Sequence, residues 1–213
     1  AIISEEQVHK HLSMSVCIDL MQDLFGLVSQ GKTNQPLRTF VTLPEGSVFA
    51  NMPCAITTPS NQTYCGSKML TLCPKNTSPI PTIQGVIMLF GQAQNGQPLA
   101  LIEASSITAI RTAAASGLAT RLLARTDAKT CAIIGSGVQA ESHVEAMLCA
   151  RPLIDRIFIA NRTFSKVGRL VKVLTDRYAH KYPNLKFFAS ETIAEAVKEA
   201  DIICTVTGSA EPV

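Results

Sequence analysis

Thr130-Cys131-Ala132-Ile133-Ile134-Gly135-Ser136-Gly137-Val138-Gln139-Ala140 decides the fold. Cys131–Ile134 is an unbroken apolar run of strand length, and Gln139–Cys149 sets Ala140, Val144, Met147 and Leu148 at helical spacing. Between them lies G-x-G-x-x-A, a weak signal by itself that gains a mechanism after a strand and at the head of a helix. Gly135 permits a tight turn, Gly137 lets a pyrophosphate approach the backbone, and Ala140 allows close helix-to-strand contact. The first-turn amides, those of Val138 and Gln139 among them, then meet the phosphates with the positive end of the helix dipole. An ordinary strand-to-helix turn is the bland alternative, and the flanking periodicity counts against it.

Downstream the alternation continues. Ile157–Ala160 reads as a strand, and Val167, Leu170, Val171, Leu174 and Tyr178 form the buried face of a helix. Phe187–Phe188 mark a short strand, Thr192-x-x-Glu195 caps a helix burying Ile193, Ala196, Val197 and Ala200, and Ile202–Val206 is a fourth strand. Apolar strands alternating with amphipathic helices predict a parallel sheet covered on both faces. Four strands make only the first half of a doubly wound unit, so residues 129–213 are expected to form an incomplete Rossmann domain. A fragment or truncated form is the corresponding expectation, with an unpaired sheet edge, bare apolar faces and an inactive product as one outcome.

The end of the second strand bears on the choice of dinucleotide. An NAD site usually carries an acidic residue there, to accept from the ribose 2′-hydroxyl. This chain has Asn161-Arg162-Thr163, a guanidinium with amide and hydroxyl donors, which suits a 2′-phosphate that a carboxylate would repel. NADP(H) is therefore expected in preference to NAD(H). A solvated surface arginine remains the alternative for Arg162, and Lys166, one helical turn on, reads first as a solvated charge.

Upstream, Ser4-Glu5-Glu6-Gln7 has the form of a capping box. A second helix is expected to bury Cys17, Leu20, Met21, Leu24 and Val28 and to stop at Gly31. From Arg38 to Ile102 short β-rich runs follow, among them Arg38–Leu43, Tyr64–Leu72 and Val86–Ala93, and Asn95-Gly96 signals a hairpin. Residues 1–102 thus read as an α+β unit with an antiparallel sheet. Its domain is carried to residue 106, residues 107–128 form a linking helix, and residues 129–213 form the nucleotide-binding part. The linking stretch Ile107–Leu123 is dense in Ala, Ser and Gly, which lets a helix lie close against another backbone or a ligand.

Composition narrows the classes. With 46% hydrophobic and 16% charged residues the chain can bury a sizeable core, and a net charge of +3 is too mild to argue for nucleic acid. No apolar run reaches bilayer length and no secretion-signal layout opens the chain, so no membrane partner and a cytoplasmic location are expected. Seven cysteines without a C-x-x-C pair read as reduced thiols, Cys131 and Cys204 behaving as small hydrophobes in strands. The four histidines (His9, His11, His143 and His180) fall in expected helices without ligand spacing, which argues against a metal or a His-based hydrolytic mechanism.

Gln35-Pro36-Leu37-Arg38-Thr39, Met52-Pro53, Ser67-Lys68, Pro81-Thr82-Ile83-Gln84-Gly85, Ile107–Ala114 and the G-x-G-V-Q-A turn together resemble the ornithine cyclodeaminase/mu-crystallin family over nearly the whole chain. Asn161-Arg162-Thr163 looks most like its NADP-using mu-crystallin branch, whose members act as ketimine reductases. The resemblance implies that Arg38, Lys68 and Arg111 bind the carboxylate of an amino acid or cyclic imino acid, and that Arg111 also touches the cofactor. It further implies cofactor contacts at Thr82 and Thr112, and a nicotinamide side lined by Thr207 and Gly208. A homodimer built on the first domain is implied as well.

Two departures matter. Ile83 stands where mu-crystallin has a histidine, and the family's catalytic Asp position lies beyond Val213, leaving the catalytic residue unknown. The expected activity is NADPH-dependent reduction of C=N bonds in small carboxylate-bearing cyclic imines. The alternatives are an ornithine cyclodeaminase or alanine dehydrogenase-like enzyme using NAD, or a non-enzymatic, NADP-dependent binder of thyroid hormone.

Overall fold

The computed structural model describes residues 1–77, 79–92, 95–209 and 211–213. Its elements begin with β1 (Ile2–Ile3), α1 (Glu5–His11), α2 (Met14–Ser29), β2 (Thr33–Asn34) and β3 (Thr39–Thr42). The strands β4 (Val48–Thr57), β5 (Thr63–Leu72), β6 (Ile83–Gly91) and β7 (Gln97–Glu103) follow, then α3 (Ala104–Leu123). The remainder is β8 (Thr130–Ile134), α4 (Val138–Ala150), β9 (Arg156–Ala160), α5 (Phe164–Tyr178), β10 (Lys186–Ser190), α6 (Ile193–Val197) and β11 (Ile202–Thr205). Two compact units result: Ala1–Ser13 with Gln22–Thr108, and Met14–Met21 with Ala109–Val213. The division falls inside α2 and inside α3.

In the first unit the strands form one sheet in the order β1-β7-β6-β5-β4-β2, with β3 also paired to β4. The long strands are antiparallel, as the sequence pattern predicts, and β1 adds a parallel edge against β7. Asn95 and Gly96 both take positive φ (56° and 77°) between β6 and β7, as the hairpin signal requires. The end of the expected run at Ala93 lies outside the described residues. Ser4 and Gln7 exchange the reciprocal bonds of a capping box, holding the start of α1. The sheet is only half-buried: along the described parts of β4 to β7, Ala50 and Gly91 alone are fully covered.

The second unit carries a parallel sheet in the order β10-β9-β8-β11. Its centre is dry: all five residues of β8 are buried, as are Ile157, Ile159 and Ala160 of β9. Of the expected buried face of α5, Val167, Leu170, Leu174 and Tyr178 are buried and Val171 is half-buried. Phe158 stacks on Phe188 across β9 and β10 with ring centroids 4.8 Å apart. The Cys131 thiol, buried in β8, donates to the Ala132 carbonyl at 3.8 Å, and Cys204 is buried on the neighbouring strand β11. Coverage on both faces holds at β8 but not at the outer strands, where Ile203 is 52% exposed.

Three local expectations are corrected. In α2 the buried residues are Met14, Cys17, Ile18, Met21 and Leu27, whereas Leu20 and Val28 are exposed. The stripe turns this way because Ile18 packs on Gly117 of α3, where an added Cβ would stand 2.9 Å from its Cδ1. Helix α3 starts at Ala104, three residues before the expected Ile107, because the Glu103 carboxylate accepts from the amides of Ser105 and Ser106. Burial works to raise the Glu103 pKa, but these amides and the two hydroxyls prevail and hold it below the usual range. Finally, His180 lies in the turn after α5 instead of in a helix. Among the described residues no single helix is long and apolar enough to cross a membrane.

Candidate functional site

A cleft of about 700 Å³ opens in the second unit along the carboxyl ends of its parallel strands. Each strand contributes where it stops: Ile134 and Gly135 after β8, Ala160, Asn161 and Arg162 after β9, Glu191 after β10, and Thr207 to Ser209 after β11. Thr163 and Lys166, at the head of α5, complete the polar wall.

The local geometry follows from residue type. Gly135 has φ +128°, and a Cβ there would meet the Val206 carbonyl oxygen at 2.7 Å, so the turn after β8 accepts only glycine without a shift. Its amide donates to the Ala160 carbonyl at 2.8 Å, tying the turn to the end of β9. Two residues on, Gly137 caps α4 in extended backbone and offers no side-chain bond to the first-turn amides. Its Cβ position faces open space, leaving room for an atom larger than hydrogen to approach the backbone. Helix α5 likewise starts at Thr163 without a side-chain cap. Two uncapped helix starts on consecutive strand ends give the cleft positive potential.

Charge at the wall is unbalanced. Among the described residues neither Arg162 nor Lys166 forms an ion pair, although Glu191 belongs to the same lining. No carboxylate stands at the end of β9, where the residues are Asn161, Arg162 and Thr163. The Asn161 amide donates to the Thr163 carbonyl at 3.4 Å, a local bond that turns the chain into α5. A glycine cradle, two uncapped helix starts and cations without an ion-pair partner among the described residues fit the phosphates of a dinucleotide.

The sequence-derived positions divide between the units. Gly135, Asn161, Arg162, Thr163, Thr207 and Gly208 share the cleft lining, while Gly137, Val138 and Gln139 form the start of α4. The Thr207 hydroxyl accepts from the Ser209 amide at 3.1 Å, closing a turn after β11. Arg111 and Thr112 lie on α3 in the second unit, where the Arg111 charge opposes the upward push that burial exerts on the Cys17 thiol. In the first unit Arg38 is exposed over the Phe40 ring, at 5.9 Å from its centroid. Lys68, opposite Met52 and Ile87 in the sheet, donates to the Thr108 hydroxyl at 3.3 Å. Thr82 is exposed just before β6, and its carbonyl accepts from the Cys73 amide.

Glu191, Ile193 and Ser209 also line the cleft and were not expected from sequence. The usable signal was their position at a strand's carboxyl end, since no motif covers them. His143, in α4, is buried between helices and has no place in the lining. Its Nδ1 lies 2.7 Å from the Gln139 carbonyl and its Nε2 3.0 Å from the Ser116 hydroxyl.

A model of the ornithine cyclodeaminase/mu-crystallin family matches residues 1–213. A Delta(1)-pyrroline-2-carboxylate reductase of Bacillus cereus is 36% identical over 220 residues, covering 100% of this chain and 63% of the relative. Among solved structures, Thermococcus litoralis Delta(1)-pyrroline-2-carboxylate reductase with NADH and L-proline superposes with a TM-score of 0.85 at 29% identity, over 96% of this chain and 61% of that one. An archaeal alanine dehydrogenase dimer with bound NAD gives 0.84 at 26% identity, over 100% of this chain and 62% of that one. The chain therefore spans less than two thirds of the length of each.

Proposed function

The chain belongs to the ornithine cyclodeaminase/mu-crystallin family, and on that premise we propose that it serves the NADPH-dependent reduction of C=N bonds in small, carboxylate-bearing cyclic imines. The observation that carries the reading is Arg162 and Lys166, without an ion-pair partner among the described residues, in the same cleft as the Gly135 turn, with no carboxylate directly after β9. A bound reduced nicotinamide would supply the hydride for the imine carbon. Similarity to pyrroline-2-carboxylate reductases supports the class of substrate.

The chain's own residues would bind and orient. Backbone amides at Gly137, Val138 and Gln139 would hold the pyrophosphate, and Asn161, Arg162 and Thr163 the ribose phosphate. Thr207 and Gly208, after β11, would face the nicotinamide end, and Thr82, Arg111 and Thr112 would add cofactor contacts. Arg38, Lys68 and Arg111 would bind the substrate carboxylate, a task for which guanidinium forks and an ammonium are suited. The half-buried sheet of the first unit supports a homodimer, since an apolar sheet face needs a cover. Seven cysteines, all free thiols, accord with a cytoplasmic location.

A second reading has its own support: the two solved relatives hold NADH or NAD, which favours the unphosphorylated coenzyme. Steady-state assays of Delta(1)-pyrroline-2-carboxylate with NADPH and with NADH decide between them. NADPH oxidation with a clear preference over NADH is expected. A preference for NADH would transfer the conclusion to the unphosphorylated coenzyme, equal use of both would overturn the NADPH preference, and no turnover with either would overturn the reductase.

A further inference from the structure

Glu191 is the only acidic residue in the cleft lining, among the described residues, and nothing in the proposed coenzyme site uses it. It follows β10 directly, after the buried Ser190, and its amide donates to the Glu195 carboxylate at 2.9 Å, which fixes the chain where it leaves the sheet. Its own carboxylate forms no ion pair with Arg162 or Lys166, although all three share the wall. A carboxylate beside two cations that it does not neutralise remains available to a donor on the ligand.

The sheet order assigns that donor. Across β11-β8-β9-β10 the strand ends present Thr207 and Gly208, then the Gly135 turn, then Asn161 and Arg162, and last Glu191. With the pyrophosphate at the β8 turn and the ribose at β9, the next strand end outward, two spacings or about 9.5 Å from β8, receives the base. Ile193 lines the cleft there while packing on the Ala132, Ile134, Ala160 and Ala196 core, which offers a fixed apolar surface to a flat ring. The polar group beside it, as a carboxylate, can accept a hydrogen bond and cannot donate one. Adenine presents an exocyclic amine, a donor, at the position where hypoxanthine and guanine present a carbonyl acceptor.

We propose that Glu191 selects adenine in the bound coenzyme by accepting from its exocyclic amine while Ile193 supports the ring. The inference rests on the reading of the cleft as a dinucleotide site, and deepens it by naming the residue that reads the base. A base with a carbonyl at that position meets the carboxylate acceptor to acceptor, which costs affinity without touching the phosphates.

The test is a titration of the protein with NADPH and with its reduced hypoxanthine analogue, in the native sequence and in Glu191→Gln and Glu191→Ala. The native protein is expected to prefer the adenine form about tenfold, the worth of one exposed charge-assisted hydrogen bond. Glu191→Ala should lose the preference by weakening NADPH. Glu191→Gln should lose it by tightening the analogue, because the amide can donate to the carbonyl. Equal affinity of the native protein for both forms overturns the role of Glu191 and leaves the coenzyme reading intact, as does a preference that survives Glu191→Ala. Absence of binding by both forms overturns the two together. Glu191 is exposed, so the variants are expected to fold, and unchanged unfolding midpoints verify it.

Discussion

A methyl group on Gly135 would stand 2.7 Å from the carbonyl oxygen of Val206, so two strand ends of the parallel sheet approach each other more closely than any other residue at position 135 allows. The positive φ of 128° adds backbone strain to the clash. Gly135→Ala is expected to destabilise the second unit by about 2–4 kcal/mol, read as a lowered denaturant midpoint. Gly137→Ala should behave differently. Its backbone is extended and its Cβ position is open, so stability should change by less than about 1 kcal/mol. The added methyl instead occupies the space a pyrophosphate would approach, and NADPH affinity should fall by roughly tenfold or more, about the loss of one good contact.

Arg151 joins the ends of two helices. It follows α4 and donates to the carbonyls of Arg121, Ala124 and Arg125 at the end of α3, and to that of Ala150. It is buried, and its planar fork satisfies acceptors that a helix end leaves open. Arg151→Ala should cost about 2–4 kcal/mol in a urea titration. Arg151→Lys keeps the charge but cannot reach several divergent carbonyls at once, so it should recover only part of that loss.

The Ser116–His143 pair gives stability a dependence on pH. A carbonyl only accepts, so His143 Nδ1 carries the proton toward Gln139, and Nε2 accepts from the Ser116 hydroxyl. Burial lowers the His143 pKa below its ordinary 6.5, against the opposing pull of the Gln139 carbonyl. The unfolded chain therefore takes up this proton first as pH falls. The contribution is complete above about pH 6.5 and is lost progressively below it. His143→Phe should flatten the stability profile below about pH 6.5 relative to the native chain. A second acid loss, from Asp201, belongs to a lower range. The amides of Lys129 and Thr130, aided by Arg125, hold its carboxyl below 3.8, so that its share disappears only as pH falls past that value.

What was legible in the sequence was whatever depends on local pattern. The β8 turn, the α5 stripe and the hairpin at Asn95-Gly96 each rest on spacing or φ preference within a few residues. The stripe of α2 is not legible in the same way, because apolar residues lie on more than one side and only the contact between Ile18 and Gly117 selects among them. The start of α3 is hidden because a glutamate caps it in place of the usual short polar residue. Glu191 and Arg151 are invisible for a different reason. Their roles exist only once separate strand ends, or separate helix ends, have been brought side by side.

Coenzyme selectivity should reside in Arg162 and Lys166. Both line the cleft after β9 and neither has an ion-pair partner among the described residues, so removing either leaves no orphaned charge in the fold. Arg162→Ala should weaken NADPH about 10- to 100-fold while leaving NADH within about twofold, because on the proposed reading only a phosphorylated ribose would meet the guanidinium. Lys166→Ala should have the smaller effect, since an ammonium on a flexible stem makes a less directed contact than a planar fork. Raising the salt concentration should weaken NADPH binding more than NADH binding, as screening acts on the extra charge. Titrations of both coenzymes at low and high salt check all three expectations. An Arg162→Ala protein that still prefers NADPH as strongly as the native one would remove the basis for assigning the phosphate to the end of β9.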